Sequence, residues 1–576
     1  MTNVAEDDAD PLAIILHRLL PLLLAAALSV KTFVSRWRLV HSNLLRLQSL
    51  LSGSSCCHPL FVCLVRSLVP ELSGLLSLSR RCLDPSLPDG KLHLQSDLDI
   101  ASSTLALRLH DLGLLLLHST SASSAIVLPV PSPSASRADV VLFVRDAFAR
   151  LQIGGLDLKL DALQSLQDLL NSGAAAAAEI VAGEGATTAA VLRLLDHPVL
   201  RDRAAALTAS LAAASAASRR AVFDEGGLGP LLRLLDPSLA APAAARDRAA
   251  AAVAAFAADP ASAWGVAAYG GVPILVAACR GDGSVSPSAR ALAAAALRNL
   301  AAADDARAAM VEEGAVPTLA DLVVSGTPDA RRNAALCLLS LASAADDRIR
   351  STLIQESALQ RLLQSLVHDN SHNSSSSSSD QELQEIVLKA IQALSPHPAC
   401  SRILRSSPQF FAQLADLVRR SGSVTAAALL GDLSPDDDAA NRSLALCMSA
   451  LVRMMESSKP PTAQETAARA LARLLSVKSN RRELARDEKS VMRLVQMLDP
   501  RNEDVAKRFP VSVVLAMTAG GGSGARKRLT EAGACQALQK LAAGGSDGDV
   551  AAGARKALQR ISGNRFRSLF SIGWSN

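Results

Sequence analysis

Large aromatic side chains are nearly missing from this chain: 576 residues carry eleven Phe, three Trp and one Tyr. A core without rings has to be filled by Ala and Leu, the strongest helix formers, and apolar residues make up 49% of the sequence. Alternating apolar and polar runs are absent and Val and Ile are sparse, which excludes a sandwich or barrel and leaves an all-α fold. A large excess of one charge is also lacking. A net charge of +5, with a pI near 8.8, is too mild over this length to mark a nucleic-acid surface. The shortage of rings removes the stacking platforms that single-stranded bases need, so nucleic acid is disfavoured as a partner.

Catalytic and metal-binding patterns are missing as well. The nine cysteines are odd in number and scattered, and several fall inside helical patterns (Cys279, Cys337, Cys447, Cys535). They read as small, buried, reduced thiols of a cytoplasmic or nuclear protein. Adjacent Cys56-Cys57-His58 with Cys63 lacks the paired spacing of a zinc site. Gly520-Gly521-Gly522-Ser523-Gly524 has no strand before it and no Lys directly after its last Gly, so it reads as a loop rather than a phosphate cradle. No nucleophile elbow, zinc helix or kinase motif set occurs. Neither a catalytic residue nor a cofactor is expected, and no small-molecule substrate. The apolar segment Leu12–Val34 is interrupted by His17, Arg18, Pro21 and Lys31. Its longest uncharged run, Leu19–Val30, is shorter than the ~20 residues of a membrane span, so a buried helix and no transmembrane segment are expected.

What the chain does have is a repeat. Gly226-Gly227-Leu228-Gly229-Pro230, Gly270-Gly271-Val272-Pro273, Glu313-Gly314-Ala315-Val316-Pro317 and Ser357-Ala358-Leu359 can be read in parallel. The leucines that follow, Leu232, Leu275, Leu319 and Leu362, are 43, 44 and 43 residues apart. Leu414, Leu451, Leu494 and Leu538 continue the series at steps of 37, 43 and 44. A period of roughly 40–47 residues with helical patterning marks a stacked helical solenoid, in which no unit buries its apolar face alone. The turn glycines (Gly185, Gly227, Gly271, Gly314, Gly533) are expected at positive φ, with Pro230, Pro273 and Pro317 in the first turn of the next helix.

Around this array the chain divides into residues 1–118, an N-terminal bundle of four or five helices; 119–138, a Ser/Pro-rich linker; and 139–576, about nine repeats. The bundle helices are expected at Pro11–Val34, Arg36–Leu51, Leu60–Arg80 and Asp97–His118. A polar tract at 368–381, with six consecutive serines from Ser374 to Ser379, reads as a disordered insertion between two helices. Its serines and following acids suit phosphorylation. The tail Arg565–Trp574 reads as a cap on the array.

The turn glycine, its proline and the helix Arg331-Arg332-Asn333-Ala334-Ala335-Leu336-Cys337-Leu338-Leu339-Ser340-Leu341-Ala342 resemble armadillo repeats, as found in plant U-box armadillo proteins. Ala296-Leu297-Arg298-Asn299-Leu300-Ala301 does too. Gly90–Asp99 and Leu151-Gln152-Ile153-Gly154 resemble the helical domain that precedes the repeats in that group. The U-box, about 70 residues expected between the two regions, has no counterpart in the short 119–138 segment. Ubiquitin-ligase activity is therefore not implied. The resemblance implies a right-handed armadillo α-solenoid that binds other proteins, in a plant signalling setting, without modifying them. The alternatives are a substrate adaptor for a ubiquitin ligase and a nucleic-acid-binding helical repeat protein.

In armadillo folds the third helix of each repeat lines a concave groove. Aligned on Leu211, Phe256, Leu300 and Leu341, these helices carry an arginine ten residues earlier: Arg201, Arg246, Arg290 and Arg331. A cation near a helix N-terminus opposes the helix dipole by roughly 0.3–1 kcal/mol, so some other interaction favours it. Two readings stand. The guanidinium groups form a ladder that forks onto acidic or phosphorylated segments of a partner, or they pair with Asp202, Asp247 and neighbours and keep the surface soluble. The position before each anchor reads Ser210, Ala255, Asn299 and Ser340. Only Asn299 matches the asparagine row with which nuclear-import armadillo proteins hold basic peptides, so that cargo is disfavoured.

Overall fold

The four N-terminal helices fold because each carries a leucine stripe that the others cover. In the computed structural model, which describes residues 10–52, 59–84, 90–119, 128–173, 176–280, 283–371, 378–433, 444–456, 459–521, 523–543 and 548–562, they are α1 (Pro11–Ser29), α2 (Val34–Ser52), α3 (Pro59–Leu83) and α4 (Lys91–Ser119). Leu20, Leu23, Trp37, Leu44, Leu47, Leu64, Leu68, Leu94 and Leu98 are buried in one cluster, each contributing on the order of 1.5–3 kcal/mol. Polar forks fix the pairing at its edge. Arg36 Nε donates to Asp99 at 2.6 Å, and Arg108 Nη2 donates to Glu71 at 2.7 Å.

Two helix ends differ from expectation for local reasons. α1 stops at Ser29 rather than Val34, because Val30 is extended and Phe33 turns to φ 52°. α4 begins at Lys91 instead of Asp97: Gly90, at φ 76°, sets the turn, and its carbonyl accepts the Leu94 N–H at 3.2 Å. Within α1, Ile15–Leu19 widens to a π turn ahead of Pro21. Proline has no N–H for the carbonyl four residues back and its ring pushes that turn open. The expected lack of a membrane-length segment also needs correction. Pro11–Ser29 and Leu60–Leu83 are long and apolar enough to cross a bilayer by length and composition, because α1 runs through His17, Arg18 and Pro21 without a break.

The chain forms two compact units, residues 1–271 and 272–576. In the first, helix Arg137–Ile153 starts at a capping box in which Ser136 and Asp139 bond reciprocally. Its Ala149 and Ile153 rest on the bundle cluster. Its Arg150, 1% exposed, reaches Asp146 and, across to helix Leu156–Asn171, Asp161, both at 2.9 Å. Two three-helix repeats follow, Ala177–Gly183, Gly185–Arg193 and Arg201–Ala214, then Ala216–Asp224, Leu228–Leu235 and Ala243–Ala258. Third helices stack on third helices.

The second unit continues the pattern. One repeat is Asp304–Glu312, Ala315–Ser325 and Pro328–Ala342; the next is Asp347–Gln355, Ala358–Ser371 and Ser378–Leu394. The period leucines Leu275, Leu319, Leu362, Leu414, Leu451, Leu494 and Leu538 are all buried, as is Leu232 in the first unit. Helices Ala358–Ser371 and Ser378–Leu394 reach from both sides into the stretch 368–381 expected as an insertion. Residues 372–377, like Cys56-Cys57-His58, the stretch 120–127 and the tail Arg565–Trp574, lie outside the described residues.

The paired glycines divide two tasks. The residue at positive φ is Gly226 (77°) and Gly270 (71°), one earlier than expected, together with Gly314 and Gly533. Gly227 and Gly271 are instead needed for closeness: a Cβ would fall 2.8 Å from the Val222 carbonyl oxygen and 2.5 Å from that of Val266. Ser357 occupies the left-handed position of its repeat at φ 59°, which costs a β-carbon residue roughly 1–2 kcal/mol. Ser357→Gly is expected to stabilise the second unit by about 1 kcal/mol, and Gly314→Ala to destabilise it similarly. Urea unfolding followed by circular dichroism reads both.

Candidate protein-binding face

The arginines singled out in the sequence face the turns of the array. Arg246 and Arg331 stand at the fourth position of their third helices, where the backbone N–H is already bonded within the helix. Arg246 is 5% exposed and its Nη2 donates to the Leu239 carbonyl at 3.0 Å, in the turn that leads into its own helix. Arg201 points its Nη1 at the neighbouring Ala240 carbonyl, 3.5 Å away, so the two guanidinium groups meet one loop. In the second unit, Arg331 Nε donates to the Val323 carbonyl at 2.8 Å, near the end of the second helix. Arg290 is half-buried, with its Nε enclosed and its backbone carbonyl 3.9 Å from the Cys279 sulfur. A guanidinium with five donors suits this job, since the last carbonyls of a helix have no intrahelical partner.

Other donors do the same work elsewhere. Gln464, fourth in Pro461–Leu474, is buried, and its Nε2 donates to the carbonyls of Lys459 (2.9 Å), Glu456 (3.2 Å) and Asp504 (3.3 Å). Lys507, just before helix Arg508–Met517, donates to the carbonyls of Met497 (3.0 Å) and Asn502. Burial pulls its ammonium below the usual lysine range against the opposing pull of Asp499, Asp504 and Glu503.

A second arginine row, which the sequence reading missed, serves the first helices. Arg219, Arg307, Arg350 and Arg481 are each fourth in theirs, and donate to the carbonyls of Ala212 (2.7 Å), Ala301 (2.6 Å), Ala345 (3.3 Å) and Leu475 (2.8 Å). Asking where the last carbonyls of each third helix find donors would have found it.

What the second unit's third helices present outward is a row of mixed polar side chains, bonded from one repeat to the next. Arg298 Nη1 donates to the Asn333 Oδ1 at 2.7 Å, and Arg298 Nη2 to Asn299 at 2.9 Å. Asn299 is thus on this face, half-exposed. Arg332 pairs with Glu382 at 2.5 Å, and Glu385 accepts from Ser423 (2.8 Å) and Thr425. Asp432 with Arg469 (3.6 Å) and Glu465 with Arg508 (3.5 Å) extend the row. Exposed pairs are worth about 0–1 kcal/mol each. They fix the alignment of neighbouring repeats more than they stabilise it.

No cluster of three or more His, Cys, Asp or Glu suited to a metal occurs among the described residues. Burial pushes the thiols of Cys279, Cys337, Cys400 and Cys447 up to about 12, which keeps these four protonated and weakly nucleophilic at neutral pH.

A family model described as a domain of unknown function (DUF7032) matches residues 15–120, the bundle and little more. No curated protein matches the chain. Among solved structures, an engineered protein from a structural-genomics programme is 24% identical, covers 73% of this chain and 98% of its own, with a TM-score of 0.55. A designed armadillo repeat protein is 23% identical over 43% of this chain and 98% of its own, with a TM-score of 0.37. Another, in complex with the peptide (KR)4, is 20% identical over the same shares, also with a TM-score of 0.37. The fold is an armadillo-type α-solenoid.

Two outcomes are expected. Arg331→Met and Gln464→Leu each lower stability by about 1–3 kcal/mol, because buried carbonyls lose their donors; urea midpoints measure this. Under native conditions at pH 8, Cys279, Cys337, Cys400 and Cys447 react with iodoacetamide about a thousandfold more slowly than Cys63 and Cys535. Residue-resolved mass spectrometry reads the difference, which disappears in urea.

Proposed function

We propose that this protein is a non-catalytic scaffold that binds other proteins along the outward row of its third helices. The observation that carries the reading is the row from Arg298 and Asn299 through Asn333, Arg332, Glu382 and Glu385. Half-exposed donors and acceptors recur there at repeat spacing, a pattern that meets an extended segment at many points rather than a small molecule at one. The division into a bundle (1–118) and an array (139–576) belongs to this proposal, as do a cytoplasmic or nuclear location and a role in plant signalling. Reduced, buried thiols support the location.

The geometry supports a different set of binding residues for this proposal. Arg246 and Arg331 spend their guanidinium groups on turn carbonyls, so the preference for acidic or phosphorylated segments loses its main support. A partner segment of mixed charge fits Arg298, Arg332, Glu382 and Glu385 better. The test is proximity labelling in cells with wild type and with Arg298→Ala/Asn299→Ala/Arg332→Ala. Loss of a discrete set of partners, with the unfolding free energy held within about 1 kcal/mol, is expected. An unchanged partner set from the triple variant overturns the reading.

A further inference from the structure

From Pro11 to Pro70 the chain contains no Asp or Glu, although it carries 54 acids in 576 residues, an average that would place five or six there. The same stretch holds Arg18, Lys31, Arg36, Arg38, Arg46 and Arg66. Arg36 is taken up by Asp99. The other five are exposed and form no ion pair among the described residues. One sign of charge is therefore left facing solvent.

Apolar side chains share that surface. Of 21 large apolar residues left exposed among the described residues, ten lie in the bundle, far more than its share of the chain, and five of those (Leu22, Leu28, Val34, Leu39 and Leu45) are on α1 and α2. Scattered exposed leucines are ordinary, but a concentration of them marks an interaction surface. On α1, Leu22 (50% exposed) and Leu28 (73%) flank Ala25, with Arg18 one turn earlier. On α2, Leu39 (57%) and Leu45 (47%) lie beside Arg38 and Arg46. At about 100° per residue, Val34, Arg38, Leu45 and Ser49 fall within roughly 60° of one another. The cations missing from the apolar face of α1 itself are thus supplied by its neighbour α2, which packs along it.

We propose that the acid-free face of α1 and α2 docks the protein peripherally on an anionic phospholipid surface. Leucines entering the headgroup boundary while arginines meet lipid phosphates is the arrangement of an interfacial helix pair. A second copy fits poorly, because it would set one acid-free cationic face against another. An acidic protein would use the cations and leave Leu22 and Leu28 without an apolar phase.

The test is flotation of the full-length chain with vesicles of phosphatidylcholine alone, or of phosphatidylcholine mixed with phosphatidylserine. Binding to the mixed vesicles only, weakened by salt, is expected. Arg38→Gln/Arg46→Gln lowers that binding roughly 25-fold, at about fivefold per cation, and Leu22→Ser/Leu28→Ser lowers it about tenfold or more. Arg486→Gln/Arg501→Gln, exposed cations of the second unit, leaves it unchanged and controls for net charge. Circular dichroism melting confirms that each variant folds. Equal flotation with both vesicle types, no flotation with either, or a wild-type level from the Arg38/Arg46 variant overturns the proposal. Capture of wild type by soluble polyglutamate without flotation also overturns it, and assigns the cations to an acidic protein.

Discussion

Everything in the array depends on burying helix ends without leaving their carbonyls unpaired. The third helices pack through alanine, with Ala204, Ala205, Ala249, Ala250, Ala293, Ala294, Ala334 and Ala335 all fully buried. Small side chains let backbones come close, and close backbones draw the turns between helices out of water. A buried carbonyl without a donor costs about 1–3 kcal/mol, and each repeat has two such turns. Arg246, Arg331, Gln464 and Lys507 close one kind, and Arg219, Arg307, Arg350 and Arg481 the other. Long side chains at the fourth helical position reach back over the preceding turn because Cα–Cβ bonds tilt toward the helix N-terminus. The arginine row is therefore a consequence of the alanine core.

This explains why the sequence shows the fold more readily than the site. The leucine period requires only that one face of each repeat be buried, and burial follows hydrophobicity whatever the details of the turns. An arginine repeated at a fixed offset is ambiguous: an exposed ladder and a buried cap leave the same trace in the sequence. Gln464 shows the difficulty from the other side, since it does the arginine's work without matching the pattern. The glycine pairs were misplaced by one residue for a similar reason. Two adjacent glycines, one needed for its φ and one for lack of a Cβ, read as a single turn signal. The ends of α1 and α4 were set by Phe33 and Gly90, whose left-handed conformations no hydrophobic period encodes.

The two halves of the first unit solve the same problem with different chemistry. The bundle has leucine and one tryptophan inside, and Arg36–Asp99 and Arg108–Glu71 forks at its edge. The repeats have alanine inside and arginine on carbonyls. Where they meet, helix Arg137–Ile153 belongs to both: Ala149 and Ile153 face the bundle cluster, and Arg150 ties the helix to Leu156–Asn171. An arginine 1% exposed is held between Asp146, 15% exposed, and Asp161, 55% exposed, and losing the more buried partner, Asp146, would leave an enclosed cation short of a counter-charge. The bundle thereby covers an end of the array that would otherwise expose apolar surface, as solenoid ends require.

Charge is distributed in keeping with this division of labour. Within the array, cations are largely consumed by carbonyls and by acids on neighbouring repeats, so its outward row is mixed in sign and locally neutralised. A partner bound there gains from many modest contacts, and its selectivity comes from matching the spacing of the repeats rather than from one strong ion pair. The acid-free face of the bundle has no such internal use for its arginines. Among the described residues Arg18, Arg38 and Arg46 donate to no carbonyl, and no carboxylate on either helix screens them. A cation that stabilises nothing within its own fold is free to act on something outside it.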